Sequence, residues 1–231
     1  MNAFLDLDQG ALEEALDDRG HAVVRGAVEL ALADELAGRF DEPDWFRSTI
    51  DMERHRYGRG SYRYFADPVP ADVAAMRAEL YAATRAVADR WQQWLGLPVD
   101  VPPTHAELLE RCAAAGQRRP TPLILHYEAG GHNRLHQDRY GAVAFPLQAT
   151  VMLSPRAHYE GGQFVLVEQA PRQQSRVDVV ELEQGDMVVF PNAHRPVLGR
   201  RGHRRVNVRH GVAEVRGGRR RTLGLILHDA E

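Results

Sequence analysis

Leu123-Ile124-Leu125-His126-Tyr127-Glu128-Ala129-Gly130-Gly131-His132-Asn133-Arg134-Leu135-His136-Gln137-Asp138 is the stretch on which the fold turns. Successive side chains of an extended strand point to opposite sides, so Leu123, Leu125 and Tyr127 share one face. Gly130-Gly131 then interrupts the strand before the chain reaches His136-Gln137-Asp138. The same two-residue period recurs downstream at Ala149, Val151 and Leu153, at Val180 and Leu182, and at Met187 and Val189, where Pro191 ends the run. Thr222-Leu-Gly-Leu-Ile-Leu227 is apolar enough to be a core strand. Short strands punctuated by Gly, Pro and Asn predict a barrel or jelly roll from about residue 120 onward.

Upstream the period changes. From Pro70 to Leu95, Val73, Met76, Leu80, Val87, Trp91 and Trp94 recur at three- and four-residue steps, which makes one apolar stripe on a helix. Pro70 suits a first turn and Gly96 suits a helix stop. A shorter helix is expected over 104–115, and further helices at Leu12–Leu16 and Ala27–Phe40 around a short strand at His21–Arg25. Asp41–Asp67, rich in Trp, Phe and Tyr, reads as an ordered loop. Its Trp45, Phe46, Tyr57, Tyr62, Tyr64 and Phe65 are candidates for a lid. The expected fold class is therefore mainly β with a helical N-terminal half: a double-stranded β-helix, or jelly roll, supported by helices. Residues 1–231 are read as one domain, with 1–119 as helical support and lid and 120–231 as the core.

Composition removes several chemistries. Cys112 is the only cysteine, so an intrachain disulfide, a thiolate-rich zinc site and an ordinary iron–sulfur cluster are excluded. All 29 Lys+Arg residues are arginine, which excludes a Schiff-base lysine and the lysine of a phosphate-binding loop. A net charge of −3 gives the whole chain no polyanion-binding signature. Met1–Asp8 is acidic and unlike a secretory leader, and no apolar run reaches membrane-spanning length, so a cytoplasmic location is the expectation.

A metal held by this chain must therefore be held by nitrogen and oxygen. On a strand, His136 and Asp138 would face the same way and grip one ion. With a second imidazole they would make a two-histidine, one-carboxylate facial triad, which leaves three positions open on iron(II). Two histidines compete for the third place. His194 has Gly202 and Arg204 at the same offsets that His210 has Gly218 and Arg220, with Arg205 as a second basic candidate beside Arg204. His210 is favoured because Val206, Val208, His210 and Val212 share an apolar strand face.

The run Tyr127-x-x-Gly130-Gly131-x-x-x-x-His136-x-Asp138 resembles the prolyl-hydroxylase-like branch of the iron(II)/2-oxoglutarate dioxygenases. Glu160-Gly-Gly-Gln-Phe164 resembles that branch's glycine hairpin, and Gly185-Asp-Met-Val-Val-Phe190 its strand toward the second histidine. His210, Gly218 and Arg220 are similar to its closing pattern. The resemblance covers roughly residues 120–228. It implies iron(II) on His136, Asp138 and His210, and 2-oxoglutarate and dioxygen as cosubstrates. Arg220 would neutralise the far carboxylate of 2-oxoglutarate, helped by Tyr127 and Thr222, and the reaction would hydroxylate a C–H bond with release of succinate and CO2. At whole-chain level Gln173–Val177, His194–Val197, Arg205–Val212 and Thr222–Ala230 look like a bacterial group described as nucleic-acid oxygenases, which act by oxidative demethylation of damaged DNA. That implies alkylated, single-stranded nucleic acid as the substrate, with the arginines between Arg195 and Arg221 as a phosphate-facing rim. The rival expectations are a hydroxylase of a protein side chain, amino acid or small metabolite, and a non-enzymatic jelly-roll binding protein.

Overall fold

The computed structural model describes Phe4 and residues 7–231; apart from Phe4, Leu7 and Asp8, the Met1–Asp8 segment read above for a leader lies outside the described residues. In chain order the elements are α1 (Gln9–Arg19), β1 (Ala22–Val24), α2 (Leu30–Arg39), β2 (Phe46–Asp51), β3 (Gly58–Arg59), β4 (Ser61–Phe65), α3 (Ala71–Trp94) and α4 (His105–Ala114). Then come β5 (Leu123–Glu128), β6 (His132–His136), β7 (Leu147–Met152), β8 (Tyr159–Gly161), β9 (Phe164–Gln169) and β10 (Arg176–Val180). The last four are β11 (Met187–Pro191), β12 (His194–Gly199), β13 (Gly202–Val212) and β14 (Val215–Ile226).

The strands form two sheets. The larger runs β1-β11-β7-β14-β5-β4-β2, with β8 joined to β14; the smaller runs β10-β9-β13-β6-β3, with β12 joined to β13. Alternation along the larger sheet divides its two faces. Ile124, Ala149, Val151, Met187, Val189, Leu223 and Leu225 pack with the helices, together with Val73, Met76, Leu80, Val87 and Trp91 of α3. Tyr127, Met152, Val188 and Phe190 of the larger sheet pack with Phe164, Leu166, Val208 and Val212 of the smaller. Both faces of the larger sheet are covered, which is why the end of β14, residues 222–226, is buried throughout. Each fully buried Leu, Val or Met contributes on the order of 1.5–3 kcal/mol, so the α3 stripe alone anchors the helical layer firmly.

Local chemistry explains the boundaries. Asp8 accepts from the Ala11 amide at the start of α1, and Gly20 closes it in the left-handed region at φ 83°. Thr104 caps α4 by accepting from the Glu107 amide. Asp186, 3% exposed, accepts from the Gly26 and Glu183 amides at 2.9 and 2.8 Å and pairs with Arg25. The Gly185-Asp186 pair thus ties β1 to the head of β11.

Several expectations need correction. Asp41–Asp67 is not a loop: β2 and β4 extend the larger sheet from β5, and β3 joins the smaller sheet beside β6. The first half is accordingly not simply helical, since four of its strands are built into the two sheets. The proposed lid also divides. Phe46 and Phe65 pack against each other with ring centroids 4.9 Å apart, and Trp45 lies under Arg39. Val180 ends β10 and the buried Leu182 follows it outside any strand. No helix among the described residues is long and apolar enough to cross a membrane.

Candidate active site

Antiparallel register sets the two imidazoles side by side. His210, near the end of β13, is paired directly with His136, the last residue of β6, and their ring centroids are 4.2 Å apart. On β13 the inward parity is held by Val206, Val208 and His210, all buried. Asp138 lies two residues beyond the end of β6, outside regular structure. One ligand atom from each of His136, Asp138 and His210 falls within 4.8 Å of the others. His210 Nε2 is 3.1 Å from Asp138 Oδ2, and His136 Nε2 is 3.6 Å from Oδ1.

His136 Nδ1 donates to the Arg134 carbonyl at 2.8 Å, which leaves Nε2 as the lone-pair nitrogen turned to the cluster. Burial, then the neighbouring His210 imidazole, lowers the His136 pKa and favours the neutral, metal-binding ring. Burial pushes the Asp138 carboxyl upward, but His210, His136 and the Tyr140 hydroxyl together outweigh it and hold Asp138 ionised, below the usual carboxylate range. Phe190 and Phe164 flank His210 at 4.7 and 5.9 Å between ring centroids. Their place in the Gly-Asp and Gly-Gly motifs was visible in the sequence, but their service as walls for the second imidazole was not.

The cluster opens into a cavity of about 410 Å³ between the sheets. Arg220, Thr222, Gly224 and Ile226, alternate residues of β14, line its floor, with Gln148 and Thr150 of β7 beside them. Arg220 is 0% exposed, and none of its three guanidinium nitrogens has a hydrogen-bond partner among the described residues. Burial lowers its pKa. Tyr127 is paired with Arg220 across β5 and β14, its ring centroid 5.7 Å from the guanidinium carbon. Its hydroxyl is likewise buried and unpartnered, although Tyr127 does not itself line the cavity. The flanking arginines point elsewhere: Arg221 pairs with Asp41 at 2.8 Å, and Arg219 stays exposed beside Glu128. A buried fork of donors facing a cavity that also holds two imidazoles and a carboxylate fits a metal-chelating dicarboxylate.

The competing arrangement does not assemble. His194 opens β12 opposite the exposed Asn207, on the face away from Val206, Val208 and His210, and Arg204 and Arg205 are exposed. The neighbouring pair His228-Asp229 is structural: His228 accepts from the Phe145 amide and Asp229 pairs with the buried Arg77. Tyr64 and Tyr140, which line the cavity on the side of Asp138, had no assigned part in the ligand set, because residues 76 positions apart carry no joint signal in one sequence.

Two antiparallel sheets enclosing a His–Asp–His cluster and a buried arginine define an oxygenase of the iron(II)/2-oxoglutarate class, whose cofactor is Fe(II) and whose cosubstrates are 2-oxoglutarate and dioxygen. Residues 60–230 match the Oxygenase-NA family, described as "Oxygenase, catalysing oxidative methylation of damaged DNA", and the chain belongs to that family. It is also 41% identical over 181 residues to two Mycobacterium tuberculosis proteins, "Uncharacterized protein MT2286" and "Uncharacterized protein Rv2227", with 76% of this chain and 78% of theirs aligned. Among solved structures it is similar in fold to a Pseudomonas putida prolyl-4-hydroxylase (TM-score 0.55, 17% identity, 94% of this chain and 96% of that one). A Burkholderia pseudomallei 2OG-Fe(II) oxygenase gives a TM-score of 0.56 at 14% identity, covering 98% and 95%. HygX from Streptomyces hygroscopicus, solved with nickel, 2-oxoglutarate and hygromycin B, gives 0.53 at 14%, covering 94% and 86%.

Proposed function

We propose that the chain works as one catalytic domain in which His136, Asp138 and His210 hold iron(II), Arg220 with Thr222 and Tyr127 binds the far carboxylate of 2-oxoglutarate, and alkylated single-stranded nucleic acid is the substrate oxidised. The observation that carries the cosubstrate reading is the unpartnered, fully buried Arg220 at the cavity floor. A buried ion without a partner costs several kcal/mol, so the site is built for a carboxylate that arrives as a ligand. When bound, the metal and cosubstrate supply oxidation of a C–H bond coupled to decarboxylation to succinate. The chain's own residues aim the 2-oxo acid, hold Asp138 ionised and keep the floor dry behind Phe164 and Phe190.

Support for nucleic acid comes from the family description and from the cavity mouth. Tyr57, Tyr62, Arg56 and Arg134 line that mouth, offering rings on which a base can stack and cations for phosphates. The rim is narrower than the run of arginines suggests, because Arg195, Arg216 and Arg221 are tied to Glu168, Glu160 and Asp41. A screen of succinate release across alkylated oligonucleotides, peptides and free amino acids tests the substrate. Iron-dependent turnover on alkylated single strands is the expected result; turnover confined to peptides or amino acids would reassign the substrate to the hydroxylase alternative.

A further inference from the structure

Strand geometry aims the two imidazoles, but nothing of that kind aims Asp138, which sits in the irregular segment between β6 and β7. The carboxylate is held instead by side chains. Tyr140 Oη donates to Asp138 Oδ1 at 2.7 Å, and Tyr64 Oη, from β4, donates to Tyr140 Oη at 3.4 Å. Tyr64 is braced in turn: Tyr62 meets it edge-on at 5.4 Å and 85°, and the Arg47 guanidinium lies 4.6 Å from its ring centroid while donating to the Pro120 carbonyl. The irregular segment is itself anchored where Gln137 donates to the Ala193 and Val208 carbonyls, both at 2.8 Å.

We propose that Tyr140 is a positioning residue for the metal carboxylate: its hydroxyl occupies Oδ1 of Asp138 and so commits Oδ2, the oxygen beside His210, to the ion as a single-point ligand. The inference rests on the reading of His136, Asp138 and His210 as the iron site. The chemical reason is coordination number. A facial triad leaves three positions, two for a chelating 2-oxo acid and one for dioxygen. A carboxylate free to bind through both oxygens would take one of those three. A hydroxyl donor on Oδ1 opposes that swing, and Tyr64 holds the donor in line, so a strand from the first half of the chain governs the geometry of a ligand in the second. Partners of this kind orient metal-bound groups, and their loss weakens metal affinity by about 10–100-fold.

The test is a cobalt(II) titration of the full chain without cosubstrate, read by visible ligand-field absorption. The wild type is expected to take up one ion, and His210→Ala to lose it. Tyr140→Phe is expected to bind about 10–100-fold more weakly, with an altered ligand-field spectrum as the carboxylate becomes bidentate. Tyr64→Phe should shift both readouts in the same direction by less, and it carries the test if Tyr140→Phe does not fold by circular dichroism. A wild type that takes up no cobalt would overturn the iron-site reading itself. A Tyr140→Phe protein matching wild type in affinity and spectrum, while His210→Ala fails to bind, would overturn the positioning role alone.

Discussion

Arg220 and Arg77 are both deeply buried arginines, and their partners set them apart. Arg77 donates to the Ile226 and Leu227 carbonyls and pairs with Asp229 at 2.8 Å. Arg220 has no such partners and faces the cavity. Replacing an unpartnered buried charge by an apolar side chain of similar length relieves desolvation. Arg220→Met is therefore expected to leave the unliganded protein as stable as wild type or more so, while 2-oxoglutarate binding weakens about 30-fold or more, the cost of losing one partner of a buried charge pair. Thermal unfolding with and without 2-oxoglutarate reads both effects. Unliganded destabilisation with ligand-induced stabilisation intact would make Arg220 structural. The histidines allow a parallel distinction: His210→Ala should abolish metal uptake and His194→Ala should leave it measurable, with the reverse result moving the ligand to β12.

Among the elements, the turn between β8, which pairs with β14, and β9, which pairs with β10 and β13, shapes the arginine's berth. Gly162 has φ 65°, and a Cβ there would come within 2.8 Å of Arg220 Cδ and 2.9 Å of Val215 Cγ2. The glycine pair that resembled a family motif therefore has a local reason, because a side chain at Gly162 would push the guanidinium from its place. Gly162→Ala is expected to cost about 1–3 kcal/mol through strain and crowding and to raise the KM for 2-oxoglutarate. Urea unfolding and steady-state kinetics check the pair of effects, and an unchanged KM would contradict the crowding argument. Legibility also differed between elements. α3 and the end of β14 were readable because one has an unbroken helical stripe and the other, Thr222–Ile226, carries Leu223, Leu225 and Ile226 in a stretch buried throughout. The strands β2–β4 were not. In β2, Phe46, Ser48 and Ile50 form a half-buried face, but Ser48, Thr49 and two charged neighbours mask the alternation. Gly58 and Gly60 cut the remainder into pieces too short to show a period. His136 and Asp138 could be picked out by spacing, and the apolar face shared with Val206, Val208 and Val212 favoured His210 over His194 at equal offsets, whereas the Tyr64–Tyr140 pair depends on β4 lying beside β5, which no local pattern states.

For the whole molecule, the helical layer and the larger sheet meet at His105, 8% exposed, whose Nε2 donates to the Leu227 carbonyl at 2.9 Å. Burial, with the Arg77 charge adding to it, lowers its pKa from 6.5 to about 4. Unfolded, this histidine takes a proton that the folded protein refuses between those values. Its contribution is thus present in full above pH 6.5 and is lost as pH falls toward 4, at up to about 1.4 kcal/mol per pH unit. The urea midpoint is expected to fall across that window and to fall less steeply in His105→Gln; equal slopes would remove His105 from the explanation. The site lies on the opposite face of the same sheet, so the sheet's alternation separates stability from chemistry, with Leu223 and Leu225 turned to the helices and Arg220 and Thr222 to the cavity.

The dependence of 2-oxoglutarate binding on metal and on Arg220 bears most directly on this arrangement. Calorimetric titration of 2-oxoglutarate into the anaerobic protein, with and without iron(II), should show binding that needs the metal in wild type and is lost or strongly weakened in Arg220→Met. Binding of equal strength without iron(II), or binding untouched by the Arg220 substitution, would contradict it.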